Sequence, residues 1–416
     1  MKFYEYIFLA TALAVSVCGC VRNVSGNLPQ DVIEPQFMNI IPEADGGYSL
    51  VSISPFDGSQ DTTVISQPLS RLIVMSTSHI GFLDALGADS VIVGVSGGEY
   101  VCDSSVTVGL KNGSVEDIGY DASPDYEKIM ALKPDLLLTY SVSPVKSQFL
   151  AKLESLGIKT FIVNEHLERH PLARAAYIRL FGALTGNMAA ADSVLKVVSD
   201  NYISLRDSVQ GRLSANDAYA SDKSRLNIGD AEQGSGGTER NTTKPRKILV
   251  NIPYKDQWFI PGQESYLTTL FKDAGGEILG AKPGSSVSGQ ISVETAYSLS
   301  KEADLWMNVG WCQTLEQLLS VNPLFEDFLR NIQRNASARG YSGAKGNATN
   351  SSDTSASVVW NDNNRLNAKG GNDFWESGVV RPDLLLRDLV GIFRGEDNRT
   401  PIYYKSIKEP NASRLQ

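Results

Sequence analysis

Two of the chain's three histidines offer the first place to look for chemistry. His166 and His170 stand four apart in Asn164-Glu165-His166-Leu167-Glu168-Arg169-His170-Pro171, a spacing that on a helix turns two imidazoles toward one zinc ion. Pro171 opposes a helix there, because its ring pushes the residue before it out of helical angles. Zinc hydrolases also place a glutamate directly after the first histidine, where this chain has Leu167. The stretch therefore reads as a polar loop entering a helix, with no metal expected. An extracellular metal-dependent hydrolase or chelatase using Glu165, His166 and His170 is the alternative. No nucleophile elbow, phosphate loop or paired-cysteine zinc motif occurs, and Gly97-Gly98 and Gly275-Gly276 read as turns. With no nucleophile beside a base and its orienting group, the expectation is a protein that is not an enzyme and carries no cofactor.

What recurs instead is aromatic residues where strands give way to loops. Tyr100 follows the apolar run Val91 to Val95, and Tyr140 ends the run Leu136 to Tyr140. Tyr254 and Trp258 follow Lys247 to Ile252, and Trp311 follows Leu305 to Val309. In open α/β sheets ligands sit beyond the carboxyl ends of strands, so these rings are expected to line one cleft. They would grip a large, partly apolar ligand by area and stacking.

The elements that would position them alternate. Strands are expected at Arg71 to Met75, Val91 to Val95, Leu136 to Tyr140 and Thr160 to Val163. Helices are expected at His79 to Leu86, Pro124 to Lys133 and Val145 to Leu156, each ended by glycine or proline. Pro171 to Leu184 reads as one further helix. From Asn187, a plausible N-cap, Ala191, Val194, Val198, Tyr202, Leu205 and Val209 recur at steps of three and four, the mark of one apolar face. About 22 residues at 1.5 Å each give a rod of roughly 33 Å, able to join two lobes. A second α/β pattern follows: strand Lys247 to Ile252, helix Tyr266 to Ala274, helix Val293 to Ala303, strand Leu305 to Val309 and a closing helix Pro382 to Phe393. The fold class is α/β, two lobes joined by one long rigid helix with a cleft between them. A faint echo links the lobes: Glu127 opens a helical run ending in Lys133-Pro134-Asp135 and a strand, and Glu294 opens one ending in Glu302-Ala303-Asp304 and a strand.

The ends and interruptions set the domain plan. Residues 1–19 carry Lys2, an apolar run from Ile7 to Val17 and small residues, too short a run to span a bilayer but suited to an export signal. Val17-Cys18-Gly19-Cys20 resembles a bacterial lipoprotein cleavage box, with Cys20 as the lipid acceptor. Residues 20–45 read as a tether, 46–186 as the first lobe, 187–210 as the connecting helix, 211–246 as a polar insertion, 247–404 as the second lobe with a polar insertion at 333–357, and 405–416 as a tail. Cys102 and Cys312 fall in different lobes and are expected as free thiols. At 416 residues and a formal net charge of -9, the chain is large enough for two cores and poorly suited to nucleic acid.

Read together, RLIVMSTSHIGFLDALGA, VIVGVSGG, DYEKIMALKPDLLLTY and ISVETAYSLSKEADLWMNVG resemble the substrate-binding lipoproteins of ABC importers for ferric siderophores, haem and cobalamin, from about Gly46 to Tyr404 without the insertions. The resemblance implies two α/β lobes on a stiff helix, small closing motions and a monomer. It further implies a lipid-anchored protein on the periplasmic or extracytoplasmic face that hands an iron complex or a corrinoid to an ABC permease dimer and its ATPase. By position, Glu127 and Glu294 would be the carboxylates that dock into arginine pockets of the two permease subunits. Asn363 to Gly378 departs from most of that family; its Arg365, Asn372, Phe374 and Trp375 either touch ligand or order a loop, and Arg365 and Trp375 join the rings above as candidate ligand contacts.

Overall fold

The protein is described from a computed structural model covering residues 33–120, 122–145, 147–211, 244–255, 257–341, 357–396 and 400–407. Cys20, the expected export segment and most of both expected insertions lie outside these residues. Among the described residues no helix is long and apolar enough to cross a membrane.

The first lobe is built on a five-stranded parallel sheet. Its strands β4 (Leu72–Val74), β5 (Ile92–Val95), β6 (Glu116–Asp117), β9 (Leu136–Thr139) and β10 (Thr160–Ile162) lie in the order β10-β9-β4-β5-β6. The central strands are apolar on both faces because helices cover both, among them α1 (Thr77–Asp84), α2 (Ser104–Asn112), α3 (Tyr126–Leu132) and α4 (Gln148–Ser155). Helix starts follow the sequence: Ser76, Asp103, Asp125 and Ser147 each accept a backbone N–H from the first turn. A short ribbon, β7 (Gly119–Tyr120) with β8 (Ser123–Pro124), precedes α3.

Three expectations about this half are corrected. Residues 38–42 are not tether. They form β1 (Met38–Pro42), which pairs antiparallel with β2 (Tyr48–Ile53), itself paired with β3 (Gln60–Ile65). This sheet is stapled to the lobe: Ser52 Oγ donates to the Ile162 carbonyl at 2.7 Å and Glu168 accepts the Gln36 and Phe37 amides. The prolines around it hid the strand period. Second, Pro171 to Leu184 is two helices, α5 (Pro171–Ala175) and α6 (Ile178–Thr185). Between them the bonds tighten to three-residue spacing and the Tyr177 hydroxyl bonds the Glu168 carboxylate at 3.2 Å. Third, Asn187 holds the N-cap position without capping; its amide turns back to Thr185 Oγ1.

Helix α7 (Met188–Val209) is the expected rod. Ala191, Leu195, Val198 and Tyr202 are buried along it, and the Tyr202 hydroxyl donates to Asp273 of the second lobe at 2.8 Å. It packs on α6 and on the helix Pro382–Arg394, one element from each lobe.

The second lobe repeats the plan with β11 (Arg246–Val250), β12 (Trp258–Ile260), β13 (Gly276–Ile278), β14 (Gly289–Ile291), β15 (Leu305–Met307), β16 (Val359–Asn361) and β17 (Lys405–Ser406). The main sheet runs β13-β11-β15-β16-β17, parallel except for β17, with β12 and β14 paired beside it. Its helices include α8 (Tyr266–Asp273), α9 (Val293–Ser300), α10 (Leu315–Val321), α11 (Phe325–Ala338), α12 (Ser377–Val380) and α13 (Pro382–Arg394). Two boundaries move. Helix α11 continues to Ala338 and Tyr341 is buried under Arg246, so residues 333–341 are fold rather than insertion; β17 draws Lys405 and Ser406 out of the supposed tail.

The sequence echo is a structural one. Asp135 donates its amide to the Arg71 carbonyl and accepts the Arg71 amide on its carboxylate, at 2.8 and 2.9 Å. Asp304 makes the same reciprocal pair with Lys247, at 2.7 and 2.9 Å. Each pair pins the start of one central parallel strand to its neighbour, and each follows a helix with an exposed glutamate in its first turn, Glu127 in α3 and Glu294 in α9.

Candidate functional site

In each lobe the candidate residues stand on segments that leave the carboxyl ends of the parallel strands. In the first lobe the chain leaves β5 through Gly97, whose φ of 64° demands a glycine-like turn, into the short turn Gly98–Tyr100. It leaves β9 at Tyr140 and β10 through Asn164 and Glu165. In the second lobe it leaves β11 and β15 through Asn251 and Asn308, at φ 67° and 58°, left-handed positions that asparagine tolerates better than most residues. The Trp306 indole N–H donates to the Asn251 carbonyl at 2.8 Å and locks that exit.

The seven expected ligand contacts fall into different surroundings. Trp311 and Tyr254 are well exposed, at 61% and 66%, and Trp375 and Tyr100 about half exposed. Tyr140 is half-buried and meets the His166 ring edge-on at 6.0 Å. Trp258 is a correction. It is fully buried, stacked between Trp306 and Phe328 at 6.0 and 5.7 Å, and its N–H donates to the Val250 carbonyl. It heads β12 with its ring turned into the lobe, so it serves the core and touches no cleft. Arg365 is engaged by Asp373 at 2.9 Å and lies 5.8 Å from the Tyr403 ring centre.

The segment beyond β16, from Asp362 to Ser377, does what its sequence did not announce: it fastens one lobe to the other. The Asn367 amide donates to the Glu99 and Val101 carbonyls, each at 2.9 Å. Gly371 lies so close to the Tyr100 carbonyl that a Cβ there would collide with it, and Gly81 of α1 is pressed in the same way on the Glu376 carbonyl. The Glu376 carboxylate accepts the Cys102 amide at 2.9 Å, and α12 packs on α1. Of the four residues singled out in this segment, Phe374 is buried against Tyr403 and Tyr404, and Asn372 ties the loop to the Asp362 carbonyl and caps the turn at Phe374. The seam is acidic. Burial, with Asp373 and Asp103 alongside, pushes the Glu376 carboxyl up to about 7. Burial and the Glu376 and Asp373 carboxylates push the Cys102 thiol up to about 12, and burial pushes Cys312 to about 11. Both thiols are free and poor nucleophiles in that state.

Where the lobes meet more deeply lies a second polar group. Glu165 is buried and accepts the Ser78 hydroxyl at 2.7 Å. Around it stand Arg174 at 3.8 Å, His166 at 3.8 Å and the fully buried His79 at 4.0 Å. Burial alone would raise the Glu165 carboxyl; His166, His79 and Arg174 outweigh it and hold it well below its ordinary range. Burial also lowers His79 to about 4, so its ring is neutral at pH 7, and neither ring nitrogen has a hydrogen-bond partner among the described residues. The Arg174 guanidinium lies 5.2 Å over the Tyr266 ring of α8, carrying the network across to the second lobe. Beyond β16, burial raises Asp362 to about 6.

His166 and His170 do not share a site. His170 sits in extended backbone, as Pro171 requires, and its Nδ1 accepts the Leu172 amide at 3.0 Å as the N-cap of α5. Its other nitrogen faces Asp273, 3.9 Å away, while His166 Nε2 pairs with the Ser141 carbonyl at 3.1 Å. The polar-loop reading describes the segment and the hydrolase geometry does not. Among the described residues, ligand atoms converge for a metal only at the acidic trio Asp84, Asp89 and Asp103.

Residues 72–217 match the family model described as periplasmic binding protein. The fold resembles that of a periplasmic binding protein from Veillonella parvula, at 14% identity over 84% of this chain and 99% of that one, with a TM-score of 0.53. It also resembles a periplasmic heme binding protein from Pseudomonas aeruginosa, at 15% identity over 82% and 98%, with a TM-score of 0.51. An uncharacterized lipoprotein of Methanocaldococcus jannaschii is 22% identical over 354 residues, 80% of this chain and 67% of that protein. Residues 72–217 thus carry the sequence pattern of the periplasmic binding proteins, and the described residues share the fold of the two solved ones.

Proposed function

We propose that this chain is the extracytoplasmic solute-binding component of an ABC importer, capturing an iron complex (a ferric siderophore or haem) or a corrinoid between its lobes. It does no chemistry on its cargo. The carrying observation is that rings from both lobes stand partly or well exposed beyond the carboxyl ends of parallel strands: Tyr100 and Tyr140 from the first, Tyr254, Trp311 and Trp375 from the second. Flat apolar area of this kind suits a bulky chelate better than a bare ion, which needs converging His, Asp and Glu ligands. The heme-binding relative and the lipoprotein relative support cargo class and anchoring. In this reading residues 1–19 are removed on export and Cys20 carries lipid. The first lobe extends back to β1, and the rest of the domain plan stands with the second-lobe limits moved as above.

Titration with ferric siderophores, haemin and cobalamin, followed by intrinsic fluorescence, tests the cargo. Saturable quenching by one of them is expected, reduced in Trp311→Phe and Trp375→Phe; silence to all three defeats the reading. The exposed first-turn carboxylates of α3 and α9 are the proposed two-point attachment to permease arginines. Exchanging Glu127 or Glu294 for alanine is expected to weaken attachment, since each removes one charge-assisted contact. Ligand affinity should be untouched, and vesicle uptake assays that show no change in the double variant would remove the docking role.

A further inference from the structure

Eight Asn-x-Ser/Thr triplets with x other than proline occur along the chain, the acceptor pattern for N-linked sugar on exported proteins. The pattern alone selects none of them. Two lie wholly within the described residues, Asn112-Gly113-Ser114 and Asn335-Ala336-Ser337, and their surroundings are opposite. We propose that Asn112 is a modification site, carrying an oligosaccharide on its side-chain amide nitrogen, and that Asn335 is left bare. The inference rests on the export step of the function proposed above and not on the cargo.

Asn112 ends α2, and Gly113, at φ 80°, turns the chain out of the helix in the left-handed conformation that glycine adopts without strain. Lys111, Asn112, Gly113 and Ser114 are all exposed, and a Cβ added at Gly113 would meet nothing within 4 Å. The Asn112 Oδ1 accepts the Ser114 amide at 2.9 Å, the turn in which an asparagine bonds the backbone two residues on. That bond holds the planar amide by its oxygen. The Nδ2 group, with two N–H to offer, and the Ser114 hydroxyl make no hydrogen bond among the described residues. Asn335 is the reverse case. It lies inside α11, and its Nδ2 donates to the Lys301 and Ala303 carbonyls at 2.9 and 3.0 Å. A sugar on that nitrogen would break the bonds that fix α11 to the turn after α9.

The transfer is a substitution at the sugar. The bond between the anomeric carbon and a phosphate oxygen of a lipid-linked oligosaccharide breaks as that carbon bonds to Asn112 Nδ2. The nitrogen gives up one proton to the transferring enzyme, and the lipid phosphate leaves with the electron pair. An exported chain meets such a donor at the outer face of the membrane. The linked amide keeps its oxygen, so the bond to the Ser114 amide, and with it the turn, survives the modification.

The test is peptide mass spectrometry of the full chain purified from the envelope of its native host. The peptide containing Asn112 is expected to carry added saccharide mass, lost completely in Asn112→Gln and in Ser114→Ala and kept in Ser114→Thr. The peptide containing Asn335 is expected at its bare mass. Asn112 found only bare overturns the proposal, as does sugar on that peptide that survives Asn112→Gln or Ser114→Ala, or sugar on Asn335. The same spectra show whether residues 1–19 have been removed. A chain that is exported yet bare at Asn112 therefore refutes this site and leaves the function proposed above standing.

Discussion

Replacement of Glu165 by alanine is expected to destabilise the protein by about 3–5 kcal/mol, the usual cost of removing one partner from a buried charge pair. Ser78 loses its acceptor, and the Arg174 guanidinium, with a side chain only 7% exposed, keeps its charge with no counter-charge beside it. The sign of the pH dependence follows from the depressed carboxyl. Its contribution is fully present above the ordinary glutamate range and is lost as pH falls toward the lowered folded value. Denaturant unfolding of Glu165→Ala, Arg174→Met and the double variant checks the cause. The double variant should recover a large part of the single losses, since the stranded charge has gone with its partner. Losses that simply add would show that Glu165 acts through packing alone.

That network is one of several ties between the lobes. The buried apolar residues of both lobes form a single continuous cluster running through α7, and a smaller cluster fills the far face of the first sheet. Arg174 over Tyr266, Tyr202 on Asp273 and the Asn367 and Glu376 contacts cross the same boundary with directional bonds. Opening such a seam widely would break hydrogen bonds and expose apolar area together, so small motions are what the packing favours.

The parallel strands and α7 were legible because buried strands are continuous apolar runs and a long helix repeats its apolar face. The pairing of Asp135 and Asp304 with neighbouring strands was visible only as an echo in spacing, since a reciprocal hydrogen bond leaves no period. Apart from β1, what failed were features fixed by partners far along the chain. β1 pairs across a turn with β2, and its prolines read as tether. Trp258 looked like a rim residue by position, yet which way a ring faces at the head of a short strand is decided by Trp306 and Phe328, 48 and 70 residues later. Asn367, Gly371 and Glu376 could not be told from any polar loop, because their targets, Glu99 to Asp103, lie in the other lobe. The one available signal was the density of Asn, Gly and Asp directly after an apolar strand.

The seam should make stability depend on pH through one residue, and Glu376→Gln isolates it. Glu376 is 2% exposed, and its carboxyl stands at about 7 against an ordinary 4.5. A raised carboxyl stabilises the fold while protonated, and that contribution falls away as pH rises from the unfolded value through the folded one. The displacement is worth at most about 3 kcal/mol between pH 4.5 and 8. The groups facing it are Asp373, Asp103 and the Cys102 thiol, with Arg365 held by Asp373. Glutamine keeps an oxygen for the Cys102 amide and removes the charge, so thermal unfolding should be nearly equal to wild type at pH 5 and higher at pH 8. Asp89 and Asp362 at about 6 and His170 at about 4 also titrate over this span, but they are common to both proteins and cancel in the difference. A variant that tracks wild type at both pH values would place the Glu376 proton elsewhere. One that is less stable at pH 8 would mean that the ionised carboxylate is what the Cys102 amide requires.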